Sequence, residues 1–334
     1  MSTRAHSYAA GDVVALSGGI GGAKLALGLS RILPRGSLTV VANTADDFEH
    51  LGLTISPDID TLMYTLAGLD NPETGWGRKD ETWTFMSALA QLGGETWFKL
   101  GDADLAVHVE RTRRLRAGES LSLITADLCR RLGVPVRIVP MSDDAVRTRI
   151  RTDDGWLDFQ DYFVRHQSQP VVREIVFAGA ANARPQPQFM AALADPTLRA
   201  VIICPSNPLI SIDPILSLPG VRDALMACKA PVVAVSPIIA GRAVKGPTAK
   251  MLEELGVVPS AEVVARRYGD MIDVFVADPD DAAVISDAGL DLEVFATPTL
   301  MRTLADREHV ARAVLDAAER AARRRSSSLS LDAS

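Results

Sequence analysis

The run Ser17-Gly18-Gly19-Ile20-Gly21-Gly22-Ala23-Lys24 follows an apolar stretch, Val13 to Leu16, and opens into a helical pattern carrying Leu25, Leu27, Leu29 and Leu33. Strand, glycine turn and helix in that order suit an anion. Gly18, Gly19, Gly21 and Gly22 carry no side chain to keep a ligand off the backbone. The helix start behind them presents unpaired N–H groups and the positive end of its dipole. Lys24 adds a cation, so a phosphate or diphosphate is the expected guest. The run is not a P-loop, which would place Ser or Thr after a Gly-Lys pair, nor a full dinucleotide fingerprint, because Lys24 stands where the third glycine belongs. A tight turn that merely packs helix on sheet is the alternative.

A second set of groups is acidic. The β-branched run Leu38 to Ala42 ends in Asn43-Thr44-Ala45-Asp46-Asp47, and Ile55-Ser56-Pro57-Asp58-Ile59-Asp60-Thr61 leads into an amphipathic run, Leu62 to Ala67. Open α/β sheets bind ligands at the carboxyl edge of their strands, which would bring both clusters near the glycine loop. Asp46, Asp47, Asp58 and Asp60 are oxygen donors without His or Cys, a set that suits Mg²⁺, which takes one or two carboxylates and completes its shell with water and substrate phosphates. A turn role for Asp46 and a helix-capping role for Asp58 compete with that reading.

Further along, Gly75-Trp76-Gly77-Arg78-Lys79 opens a Trp-bracketed loop whose rings can pack or stack on a planar ligand. Helices are expected over Thr84–Leu92, Leu105–Leu115, with its single His108 read as structural, and Leu121–Leu132. Strands Val136–Pro140 and Val146–Arg151 begin a hairpin-like insertion. Its aromatic stretch, Trp156 to Phe163, reads as the insertion's own core ahead of a ring-binding wall. From Ala200 the pattern of continuous apolar strands resumes with Ala200–Cys204, Val232–Val235 and Val274–Ala277, runs that suit a parallel sheet buried on both faces. The loops after the first two, Pro205-Ser206-Asn207-Pro208 and Ser236-Pro237-Ile238-Ile239, hold polar groups on proline-stiffened backbone, with Lys245-Gly246 shortly after the second. Ser206 and Asn207 can there hydrogen-bond a base, ribose or phosphate.

The elements that must position these groups are those of the α/β class: a doubly wound, mostly parallel Rossmann-like sheet with an inserted smaller α+β subdomain. The expected organisation is a disordered extension over 1–11, one domain over 12–320 with an insertion around 75–185, and a disordered Ser-rich tail over 321–334. With 47% hydrophobic residues among 334, the chain can bury a large core. No apolar run reaches membrane length, and the first residues lack the apolar core of a signal peptide, so a cytoplasmic protein without membrane partner is expected. A net charge of −7 argues against a nucleic-acid surface, and Cys129, Cys204 and Cys228 are spaced for neither a disulfide framework nor a thiolate metal site.

Taken together, these residues resemble the 2-phospho-L-lactate transferase family of coenzyme F-420 biosynthesis. The resemblance runs from about Asp12 to Ala318. Its markers are Ser17–Lys24, Asn43-Thr-Ala-Asp-Asp47, Ser56-Pro-Asp-Ile-Asp-Thr61, Gly75-Trp-Gly77, Lys99-Leu-Gly-Asp102, Met141-Ser-Asp-Asp144, Pro205-Ser-Asn-Pro208 and Ser236-Pro-Ile-Ile239, in that order. It implies transfer of a phosphorylated three-carbon acid from its diphosphate linkage with GMP onto the terminal ribityl hydroxyl of the deazaflavin Fo, releasing GMP. It also implies Mg²⁺ and a homodimer. On this sequence the glycine loop and Asn43 would face the donor, Ser206 and Asn207 would hold its guanosine half, and Lys79 would touch phosphate. Asp47 and Asp60 would be catalytic, and Asp47, Asp58 and Asp60 would ligate the metal. Ala103 stands where relatives commonly carry a basic residue.

Metal ligation and proton abstraction are not separable for Asp47 and Asp60 at this level. Phospholactate, phosphoenolpyruvate and 3-phosphoglycerate are equally compatible as the transferred acid. A nucleotide-sugar-binding regulator of the same fold, without turnover, is the competing class; a nicotinamide dehydrogenase fits poorly for want of the third glycine.

Overall fold

The structure is a computed structural model and describes residues 11–243 and 246–331. Its centre is a seven-stranded sheet in the order Glu293–Ala296, Val274–Ala277, Val232–Val235, Ala200–Ile203, Val13–Ser17, Leu38–Ala42, Arg137–Pro140. Every neighbouring pair is parallel. Numbered by sequence, the order is 7-6-5-4-1-2-3, so the chain reverses its winding between Val13–Ser17 and Ala200–Ile203. That reversal opens a crevice at the carboxyl ends of those two strands.

The strands are apolar throughout because both faces are covered. Val14, Leu16, Val41, Val201 and Ile203 pack into one core with the helices Pro187–Ala194, Val221–Ala227 and Ala261–Tyr268. Their alternates Val13, Ala15, Val40, Ala200 and Ile202 pack into a second core with the helices Gly19–Ile32, Pro57–Ala67 and Leu304–Leu331. Two-residue alternation thus serves two hydrophobic layers rather than one.

The expected insertion around 75–185 is split in two, because Arg137–Pro140 is no part of a hairpin and instead pairs in parallel with Leu38–Ala42 as the edge of the main sheet. The first excursion carries the small hairpin Phe48–His50/Leu53–Ile55 and the helices Thr84–Gln91, Asp102–Arg116 and Leu121–Arg131. The second carries a three-stranded antiparallel sheet of Gly155–Asp158, Arg147–Thr152 and Glu174–Ala178. Within the aromatic stretch, Phe159 and Tyr162 are buried while Trp156 and Phe163 are exposed, so only half of it is core.

The Ser-rich end differs from expectation as well. The last helix continues from Leu304 to Leu331, and Arg325, the last of the run Arg323-Arg324-Arg325, anchors it, donating from Nε to Asp273 Oδ1 at 2.8 Å. Residues 1–10 of the expected extension, Lys245 and residues 332–334 lie outside the described residues.

The first and last helices meet across Gly28, where a Cβ would sit 2.1 Å from the Arg307 carbonyl oxygen and 3.2 Å from Ala311 Cβ. Backbone cannot yield as a side chain can. Gly28→Ala is therefore expected to cost about 1–3 kcal/mol despite the helix propensity gained, read as a lower Tm in a thermal melt.

Candidate functional site

The crevice is lined by the turn after Val13–Ser17 and the loop after Ala200–Ile203. Gly18 precedes the helix Gly19–Ile32, and Gly19 has a left-handed φ of 60°. A Cβ on Gly18 would lie 2.6 Å from both Asp58 Oδ2 and Ser211 Cβ; on Gly21, 2.3 Å from the Pro205 carbonyl oxygen; on Gly22, 2.2 Å from Ser17 Oγ. These three glycines therefore let protein approach protein. Around Gly19 the nearest atom would be Asp58 Oδ1 at 3.9 Å. The four-glycine cradle expected for a ligand reduces to this one open position and the first-turn N–H groups that follow it.

The polar residues expected to hold the donor mostly hold the crevice together. Ser206 Oγ donates to the Gly18 carbonyl at 2.7 Å and accepts from the Gly18 N–H at 3.1 Å. Asn207 Oδ1 accepts the Leu209 N–H at 2.9 Å. Buried Asn43 donates to Asp58 Oδ2 at 2.9 Å and to the Ile210 carbonyl at 3.2 Å, while its Oδ1 accepts from the Ala45 N–H. Lys24 Nζ donates to the Met301 carbonyl at 3.0 Å, tying the first helix to the segment before the last. Lys79 is exposed in a loop whose Trp76 and Trp83 are also exposed.

Three carboxylates converge behind the glycine turn. Asp58 does not cap its own helix: its Oδ1 accepts the Gly19 N–H at 2.7 Å and its Oδ2 accepts from Asn43, so it joins the first helix to the second strand. Burial pushes its pKa up to about 6. Burial pushes Asp47 further, to about 7, against the pull of Arg147, Ser56 and Arg111. Asp46 is raised well above the ordinary carboxylate value by burial and by the neighbouring Asp58. Ser56 Oγ donates to Asp47 Oδ2 at 2.8 Å, but Asp46 Oδ1 and Asp47 Oδ1 are buried without a hydrogen-bond partner.

Asp60 is otherwise engaged. Both its oxygens receive the Arg111 guanidinium, with Nη1 donating to Oδ2 at 3.0 Å and Nη2 to Oδ1. The fork takes one lone pair on each Asp60 oxygen and fixes that carboxylate against the protein, whereas Asp46 and Asp47 each keep a buried oxygen without a protein partner. The fit to Mg²⁺ then rests on two unpartnered buried carboxylate oxygens, an all-oxygen donor set of the kind this ion shares with substrate phosphates. Among the described residues no three His, Cys, Asp or Glu side chains form a protein-only metal cage.

Directly after Asp47 comes an aromatic cluster that the sequence did not single out. Phe48 meets Phe98 edge-on at 4.9 Å between centroids, His50 meets Trp97 at 5.0 Å, and the Arg165 guanidinium lies 4.5 Å from the Trp97 ring centroid. Its members come from three distant stretches, Phe48 and His50, Trp97 and Phe98, and Arg165, so no local pattern announces it.

The model of the family described as 2-phospho-L-lactate transferase CofD matches residues 13–308. The chain belongs to this family. Within it, the chain is 42% identical to a phosphoenolpyruvate transferase of Kitasatospora aureofaciens, over 92% of this chain and 98% of that protein. It is 42% identical to one of Thermobifida fusca, over 86% and 92%, and 38% identical to one of Mycobacterium avium, over 86% and 93%. Two crystal structures of a Bacillus halodurans protein, one described as a member of the UPF0052 family, share the fold. Their TM-scores are 0.61 and 0.58 at 13% and 14% identity, each covering 92% of this chain and 100% and 99% of the other. The CofD family assignment makes the chain a transferase, and among the described residues no helix is long and apolar enough to cross a membrane.

The acid cluster carries a pH signature. In the folded chain Asp47 and Asp58 hold their protons to about 7 and about 6, against 3.8 for the ordinary side chain. Below that ordinary value both folded and unfolded forms are protonated and burial costs nothing. As pH rises toward 7 the unfolded chain ionises first, and stability is lost. With a chelator present, Tm should therefore fall between about pH 4 and pH 7, and Asp47→Asn should fall less. A wild-type Tm that rises over this window would contradict the burial of ionisable acids here.

Proposed function

We propose that this chain transfers a phosphoenolpyruvyl group from its diphosphate conjugate with GMP to the terminal ribityl hydroxyl of the deazaflavin Fo, in coenzyme F-420 biosynthesis, with Mg²⁺ held between Asp46 and Asp47. The observation that carries the reading is the pair of buried, unpartnered carboxylate oxygens on Asp46 and Asp47, with Asp46 in the field of Asp58, which binds the helix start at the Gly19 N–H. One side of the crevice can take phosphates, and the other can take a metal or a hydroxyl proton. The choice of phosphoenolpyruvate among the three-carbon acids is supported by the names of relatives at 38–42% identity.

In the proposed reaction the Fo hydroxyl oxygen forms a bond to the phosphorus that carries the three-carbon acid. The bridging P–O bond breaks, and GMP departs with the bonding electron pair. Asp47 Oδ1, the one oxygen of that carboxylate without a protein partner, would hold the ion together with Asp46 Oδ1, and the hydroxyl proton leaves with the departing GMP phosphate. Bound Mg²⁺ would supply charge neutralisation on the diphosphate, which is most of what phosphoryl transfer asks of its site. The first-turn N–H groups after Gly19 orient the donor. Phe48, directly after Asp47, forms with Trp97 and Phe98 a partly exposed aromatic surface suited to a flat tricyclic acceptor.

The test is direct. Incubation with Fo, the phosphoenolpyruvyl donor and Mg²⁺ should yield GMP and the coupled deazaflavin in equal amounts by mass detection. Asp47→Asn should lower kcat at least about 100-fold, with the donor KM little changed. No GMP release with any of the three donors would favour a binding protein without turnover.

A further inference from the structure

The two acid-bearing segments are gripped from outside the main sheet by one helix. On Asp102–Arg116, residues 108, 111, 112 and 116 fall at helical spacing on one side. Wholly buried Arg111 forks onto Asp60. Thr112 Oγ1 accepts the Thr54 N–H at 2.8 Å, and Arg116 Nη2 donates to the Gly52 carbonyl at 2.7 Å. Gly52 and Thr54 lie in the hairpin that joins Asp47 to Ser56, while Asp60 stands two residues beyond Asp58 in the next helix. One helix thus holds the chain on both sides of the acid cluster.

The grip is itself braced. Arg111 Nη1 lies 3.3 Å from His108 Nδ1, and His108 Nε2 lies 3.2 Å from Asp104 Oδ2. Tyr64, on the same helix as Asp60, donates from its hydroxyl to Asp104 Oδ1 at 2.6 Å. Burying such an ion pair is a poor way to gain stability, since apolar residues of equal volume often do as well, whereas a planar fork fixes distance and angle.

We infer that Arg111 is a positioning residue of the transfer site: its fork on Asp60, with Thr112 and Arg116 on the hairpin, sets the spacing of Asp47 from Asp58, and Asp60 is an anchor rather than a ligand or base. The inference rests on the transferase reading above. It makes the helix Asp102–Arg116 part of the active site's geometry although none of these four residues need touch substrate.

The test compares Arg111→Lys, which keeps the charge and loses the fork, with the double variant Asp60→Asn/Arg111→Gln, which replaces the ion pair by a hydrogen-bonded amide pair. Thr112→Val and the exposed Arg113→Lys complete the set. Arg111→Lys should melt within a few degrees of wild type, lose about tenfold in kcat and need about fivefold more Mg²⁺ for half-maximal rate, with the donor KM within twofold. The double variant should recover most of that loss, and Arg113→Lys should match wild type. A double variant as inactive as Asp47→Asn would make Asp60 a ligand or base and overturn the inference, as would a wild-type Mg²⁺ requirement in Arg111→Lys. If Arg111→Lys does not fold, Thr112→Val decides: a threefold higher Mg²⁺ requirement supports the clamp and an unchanged one overturns it. A wild-type protein inactive with every donor sinks the transferase reading alone. The clamp is then judged by the Mg²⁺-induced rise in Tm, which Arg111→Lys must shrink and whose persistence at full size overturns it.

Discussion

Carboxylates resist burial, and this fold buries three of them within one crevice. Water would solvate Asp46, Asp47 and Asp58 far better than the tips of a parallel sheet do, as their raised pKa values record. Two devices offset part of the cost. Asp58 receives the N–H of Gly19 and the amide of Asn43, and Asp47 receives Ser56 and the field of Arg147 and Arg111. What is left over, one oxygen each on Asp46 and Asp47, is the part of the cluster that protein does not satisfy, and it is where a cation or a reacting hydroxyl gains most.

The rest of the site follows from bringing these acids under the glycine turn. Gly18, Gly21 and Gly22 bring Asp58, Pro205, Ser17 and Ser206 to within reach of the first helix, so that two strand ends on opposite sides of the winding reversal share one wall. Ser206 then locks the turn from the neighbouring strand end. Most of the glycine turn thus serves to seal the sheet, and Gly19 alone is left open beside it.

Much of this was legible in the chain. The apolar runs at Val13, Leu38, Ala200, Val232 and Val274 are central strands because a parallel sheet buried on both faces demands uninterrupted apolar residues. The strand Glu293–Ala296 escaped notice because it lies at an edge, starts with a charge and is only partly buried. Arg137–Pro140 looked like part of a hairpin because strand periodicity does not say which partner a strand will take. Glycine density signalled close approach correctly, but sequence could not tell whether ligand or protein would do the approaching. Asp60 and Arg111 are 51 positions apart, and Arg111 sits with Arg113, Arg114 and Arg116 in the charge-rich second half of its helix. Only packing reveals that one arginine of the four is wholly buried.

The most direct measurement is a crystal structure of the chain with GMP and Mn²⁺, located by its anomalous scattering. The expected result is an ion within coordination distance of Asp46 Oδ1 and Asp47 Oδ1, with the Asp60–Arg111 fork intact. An ion bound to Asp60 with Arg111 displaced, or no ion between Asp46 and Asp47, would contradict it.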